Sequence, residues 1–247
     1  MAPLTLLAGL VLLWQVAVVA TNAPAWLLPS PVDVATALVE DRALLWENAL
    51  VTLQEVLIGF LLAVAAGVGC GVAIARSPVL DRALYPLIIA SQTVPVPAIA
   101  PLLLVWFGYG LLPKVLVTAL VGFFPLVVNT VEGLRSTDRE VVSLLRAFGA
   151  SPGRIFRLAE LPSAMPAIFA GARIAVAICV IGAVFGELVG AKAGLGYLLT
   201  RSIAQFETPR MVAAIFLLAL MGSTLFALVG LVERLVLPWR RFVTTSR

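Results

Sequence analysis

An all-α integral membrane protein is what the sequence predicts, and three observations carry that prediction. Hydrophobic residues make up 62% of the 247 and charged residues only 12%, whereas soluble domains are about half apolar and a quarter charged. Mean hydropathy is +1.09. The apolar residues fall in runs of about twenty, long enough for a helix to cross hydrocarbon, rather than alternating over about ten residues as barrel strands do. The whole chain, 1–247, reads as one transmembrane domain with spans at 4–20, 49–75, 83–107, 114–134, 167–189 and 211–232. One long polar island, 135–166, interrupts them. A net charge of +4 with a pI near 9.6 then reports charge placed on one side of a bilayer, not nucleic-acid binding.

The first run, 4–20, has no Lys or Arg before it. A secretory signal wants a basic start, so this run is expected to be a retained span. Residues 21–48 are polar and Pro-bearing. The second span carries Gly67, Gly69 and Gly71, which include a GxxxG spacing that permits close helix contact in lipid. Glu55 stands about 31 Å along a helix from Arg76, so the two are expected at opposite bilayer surfaces, with no buried role for Glu55. The third span holds Pro86, Pro95, Pro97 and Pro101 together with Ser91, Gln92 and Thr93. Prolines free backbone carbonyls that only protein or water can satisfy in a membrane. SQTVPVPAIAP is therefore a candidate pore or pivot element, with a kinked packing helix as the alternative.

A tight turn at 108–113 leads into the fourth span, with Phe123, Phe124, Pro125 and Asn129. In the fifth span Arg173 and Glu187 lie too far apart along the helix for an ion pair, so each must find another partner or snorkel. Glu187 is expected to anchor a helix end, with a gate as the alternative. Glycines in AKAGLGYLL, within the external loop 190–210, predict a turn into a short surface helix. Residues 233–247 form a basic tail. Cys70 and Cys179 fall inside apolar spans and act as small packing residues.

The polar island reads as two short amphipathic helices. The first, 138–148, sets Val141, Val142, Leu144, Leu145 and Phe148 against Arg139, Glu140, Ser143 and Arg146, a helical pattern. Gly149 is the expected bend, with a positive backbone angle or a tight contact there. Ser151 and Pro152 are an N-cap and first helical residue for the second helix, 152–161, which Pro162 stops. Bent and compact, this knob is suited to a groove on a soluble partner. An amphipathic connector lying in the headgroups is the alternative. Arg42, Lys114, Lys192, Arg201 and Arg210 fall on one side of the membrane, and the other twelve Lys and Arg on the side of the knob. By the positive-inside rule the knob and both termini are cytoplasmic.

Gly149, nine further residues, and then Ala159, Glu160, Leu161 and Pro162 resemble the cytoplasmic signature of ABC importer permeases: Glu-Ala-Ala, three residues, Gly, nine residues, Ile, any residue, Leu-Pro. Here Ser143, Leu144 and Leu145 stand at Glu-Ala-Ala, and Ala159 at the Ile. LPSPVDVATAL, SQTVPVPAIAPLLLVWFGYGLLPKVLVTALVGFFPLVVNT and GELVGAKAGLGYLL resemble, in order, the nitrate, sulfonate and taurine importer permeases of the inner membrane. WFGYGLLPKV is most similar to members linked to thiamine pyrimidine precursors or riboflavin. The resemblance implies a six-span type-I importer fold that works by alternating access. Its implied partners are two copies of an ABC ATPase carrying the ATP and Mg, a second and identical permease subunit, and a periplasmic or lipid-anchored binding protein. It implies that Ser143, Arg146, Ala147, Phe148, Gly149, Ala150, Ser151, Arg154, Leu161 and Pro162 couple to the ATPase.

The chemistry the sequence lacks points the same way. It has no histidine, no Cys, Asp and Glu cluster at metal-ligand spacing, and no GxxxxGK followed by Ser or Thr to cradle phosphates. No constellation supports nucleophilic catalysis, so no catalytic or metal-binding residue and no bound cofactor is expected. Membrane lipid is a partner and nucleic acid is not. Uncharged polar groups at membrane depth, Ser91, Gln92, Thr93 and Asn129, are the candidates for a translocation path, weighed against interhelical hydrogen bonding. A small polar or aromatic solute suits a path with so few fixed charges. A self-sufficient carrier or channel is the alternative.

Overall fold

Because hydrocarbon leaves no backbone polar group a solvent partner, the apolar runs form helices, and among the described residues every regular element is helical. The computed structural model describes residues 2–238, so Arg240, Arg241 and Arg247 of the basic tail lie outside the described residues. In chain order the elements are α1 (Ala2–Thr21), α2 (Pro31–Glu40), α3 (Arg42–Arg76), α4 (Pro78–Ser91), α5 (Val96–Phe107), α6 (Leu111–Arg135), α7 (Arg139–Ala147), α8 (Pro152–Ile155), a π-helical turn (Phe156–Glu160), α9 (Leu161–Leu188), α10 (Leu195–Ala204) and α11 (Thr208–Val236). By length and composition four helices are able to cross a membrane: α3, α6, the continuous helix Pro152–Leu188, and α11. The bent pair α4 and α5 makes a fifth if counted as one span, and α1 is a shorter apolar helix over 8–21. Six spans were expected, so the count by these criteria is lower.

α6 is the central post, packed along α3 on one side and α9 on the other. Close approach depends on residues four apart on α3. A Cβ on Gly67 would lie 2.7 Å from Leu126 Cβ, and one on Gly71 2.6 Å from Thr130 Cβ. Gly59 meets Thr118 in the same way. Gly69, also expected at this contact, faces open space instead, because two residues along a helix turn the side chain away by about 200°. Ala63, Leu126, Ala172 and Ala175 fill the seam at mid-height. Both cysteines are free, Cys179 buried and Cys70 half-buried.

Three expectations change. The third span is not a single kinked helix, since α4 and α5 meet at 101°. Pro95 and Pro97 cannot supply the backbone protons that would carry one helix into the next. Pro162 does not stop a helix either. Leu161 N–H donates to Phe156 O, five residues back, and this wider turn accommodates the Pro162 ring, so α8 runs through the π turn into α9 without a break. Finally, α3 starts at Arg42 and not at 49, which puts Glu55 about 20 Å in from that end. Glu55 is fully buried and ion-paired to Lys114 of α6, not at a bilayer surface.

Partners for the remaining charges also come from other helices. Arg173 Nη2 lies 3.2 Å from Glu233 Oε2 on α11. Arg210 grips Asp41 through two hydrogen bonds of 2.6 and 3.0 Å. Ser30 and Asp33 form a reciprocal cap on α2.

Candidate functional site

Asp138 opens α7 by accepting Glu140 N–H at 2.8 Å, and Gly149 closes it. Gly149 has φ +75°. Its N–H donates to Arg146 O at 2.9 Å and Ala150 N–H donates to Leu145 O at 3.0 Å. That pair of bonds is the Schellman closure, which places its left-handed residue at this position and so favours glycine. Two residues later Ser151 and Pro152 start the next helix. Leu161 and Pro162 lie at the start of α9, half-buried and away from the knob surface. Ser143, Ala147 and Arg154 are exposed on the knob. Ala159, which stands where the family pattern has Ile, is buried inside the π turn.

The two faces of α7 point in different directions. Val141, Leu144 and Phe148 are exposed, Phe148 at 80%, and lie on the apolar side of the helix. Arg139 and Arg146, about two turns apart on the opposite side, line a cavity on the inner side of the knob.

A second cavity, of about 700 Å³, opens at the break between α4 and α5. Ser91, Gln92 and Asn129 line it, so three of the four predicted path residues come together, and Thr93 is not among the lining residues. The donors of three predicted path residues are already used locally: Ser91 Oγ donates to Ile88 O, Thr93 Oγ1 to Ala90 O, and Asn129 Nδ2 to Pro125 O, all at 2.7–2.8 Å. The walls are apolar and aromatic, with Phe123, Phe124, Ile178 and Phe185.

At the opposite end of the bundle the N-terminus of α10 is held by side chains of other helices. Gly194 N–H donates to Asn48 Oδ1 at 2.7 Å and Leu195 N–H to Thr52 Oγ1 at 2.8 Å. Gly196 and Tyr197 N–H both donate to Glu187 Oε2, while Thr52 Oγ1 donates to Glu187 Oε1 at 2.6 Å. All four N–H groups that a helix start leaves open are thereby met, and the carboxylate sits where the helix dipole favours a negative charge. Glu187 is the helix anchor that was expected. The helix it anchors is not a surface one, since Leu195, Leu198 and Ser202 are buried. Asn48 and Thr52 carried no readable signal of this role, because their partners are more than 140 residues away.

Comparison with known proteins gives a consistent result. A family model described as a binding-protein-dependent transport system inner membrane component matches residues 59–238. The chain is 39% identical to the formylaminopyrimidine transport permease protein ThiX of Halalkalibacterium halodurans, over 94% of this chain and 93% of that one. It is 41% identical to the riboflavin transport system permease protein RibX of Chloroflexus aurantiacus, over 96% and 89%. In fold it resembles an inward-facing structure of the MetNI methionine ABC transporter, with TM-score 0.71 and 20% identity over 80% of this chain and 98% of that one.

Proposed function

Since the chain belongs to the family of binding-protein-dependent transport system inner membrane components, we propose how its knob and cavity serve that role and what they carry. The chain is a transmembrane permease of an ABC importer, not itself an enzyme, and ATP hydrolysis belongs to a separate subunit. The observation that carries the coupling reading is continuity. α7 closes on Gly149, and three residues later begins a helix that runs unbroken from Pro152 to Leu188. A displacement of the knob is therefore delivered to a transmembrane helix across only the short link 148–151, with no break between Pro152 and the span.

In this reading the outward apolar face of α7, with Phe148 at its tip, enters a groove on the ATPase. Two ATPase copies, carrying ATP and Mg, close on nucleotide and draw the knobs of two identical permeases together. α9 then tilts against α6, and the path between the two copies opens outward to an external binding protein. Hydrolysis resets the inward-facing state. Both termini lie on the cytoplasmic side of the inner membrane.

The aromatic walls of the cavity at the α4–α5 break, with Gln92 and Asn129 as polar contacts, suit a small ring-bearing solute with few charges. A pyrimidine precursor of the kind named for ThiX, or a flavin of the kind named for RibX, meets that description. Vesicles holding the permease, its ATPase and the binding protein should accumulate formylaminopyrimidine or riboflavin only when ATP is supplied. Uptake of either solute by the permease alone, driven by an ion gradient, would replace this reading with that of a self-sufficient carrier.

A further inference from the structure

The cavity on the inner side of α7, of about 810 Å³, is lined by Arg146 and Ala150, two of the residues that the family resemblance assigns to coupling, but lies behind the outward apolar face that the proposed docking uses. Arg76 at the end of α3, Arg135 at the end of α6, and Arg139 and Arg146 of α7 all line it, against only Asp81 and Glu160. Asp81 is already paired with Arg135. Arg76 lies 4.9 Å above the ring of Phe156, which offers a weak cation–π contact and no charge. Among the described residues neither Arg139 nor Arg146 has a hydrogen bond or ion pair to its guanidinium. Four guanidinium groups thus face one void with two carboxylates between them.

We propose that this cavity binds the phosphate group of an anionic membrane lipid. Like charges gathered in a partly enclosed space repel more strongly than they would in water, and an anion among them relieves that repulsion. Guanidinium is the side chain whose planar donors fit paired phosphate oxygens. The position of the cavity selects the source. It is bounded by the ends of α3 and α6, both long and apolar enough to cross a membrane, and so lies at the depth of the headgroups, where basic pockets between helices take anionic lipid. The apolar face of α7 points the other way, which leaves the ATPase the outer surface and the lipid the inner one.

The test uses the purified permease–ATPase complex, titrated separately with phosphatidylglycerol, phosphatidylcholine and inorganic phosphate, with bound molecules counted by native mass spectrometry. Wild type should hold phosphatidylglycerol about tenfold more tightly than phosphatidylcholine, and Arg139→Gln/Arg146→Gln should abolish the difference. Arg139→Gln alone, at an exposed side chain, should reduce it and serves if the double variant does not assemble. Equal retention of phosphatidylglycerol by wild type and variants would overturn the proposal. So would variants that keep the lipid and lose the ATPase, which would assign these arginines to the ATPase interface. Arginine-dependent binding of inorganic phosphate with no preference among lipids would leave phosphate recognition standing and overturn the lipid source.

Discussion

Glu55 and Lys114 carry opposite charges into the interior, and each depends on the other. The Glu55 side chain is fully buried and that of Lys114 is only 14% exposed, so removing either strands a charge in a poorly solvated place. Glu55→Ala or Lys114→Met should cost about 3–5 kcal/mol, whereas Glu55→Leu/Lys114→Met should come close to neutral. Thermal unfolding of the purified permease measures this, and a double variant as unstable as the sum of the singles would show that the two do not act as a unit. A milder effect belongs to Asp33 on α2. The Ser30 hydroxyl, and then the Ser30 backbone N–H, donate to its carboxylate and hold its pKa below the ordinary value. A depressed carboxylate contributes stability that is complete at neutral pH and is lost as pH falls through the ordinary carboxylate range and below. Ser30→Ala should remove about 1 kcal/mol of that cap and flatten the decline of Tm between about pH 5 and pH 3. Neither pair was legible in the same degree. Ser30, Pro31 and Asp33 lie within four consecutive residues, but nothing near Glu55 announces Lys114, and its distance from Arg76 places it at a surface only if α3 is taken to begin at 49.

The elements repeat this division. Apolar runs announce helices because the bilayer allows the backbone no other partner, and the prolines of 95–101 mark where one helix ends and another begins. The bend of 101° between α4 and α5 depends on how both pack, which no local pattern records. The π turn was hidden for a similar reason, since Pro162 ends a helix under i to i−4 bonding and is tolerated once one wider turn is inserted. On α3 the GxxxG spacing was readable, but which glycine of the set faces open space was not, until α6 gave the helix an inside. Gly67→Leu should force α3 from α6 and cost about 1–3 kcal/mol by overpacking, whereas Gly69→Leu, two residues away in open space, should be tolerated. Expression and thermal stability of the two variants compare them directly, and equal behaviour would remove the packing stripe from the account.

For the whole molecule, one end of the bundle is held by a clamp of side chains and the other carries the knob on few contacts. At the first, Asn48, Thr52 and Glu187 tie α10 to α3 and α9, and Asp41 ties α11 to the start of α3 through Arg210. At the second, α7 has no buried residue and touches the body mainly through α8. Between them α9 runs as a lever that ends in the clamp. The proposed cytoplasmic placement of the knob comes from the distribution of Lys and Arg, and its bend from one glycine. The unbroken helix that joins its second half to a span does not, because Pro162 argues locally for a break. The most direct measurement compares ATP hydrolysis with solute uptake in the reconstituted importer carrying Gly149→Val, where a β-branched residue is forced toward φ +75° at a cost of about 1–3 kcal/mol. ATP hydrolysis should persist while the solute carried per ATP falls about tenfold or more, and an unchanged ratio would contradict the claim that the knob drives the spans through this bend.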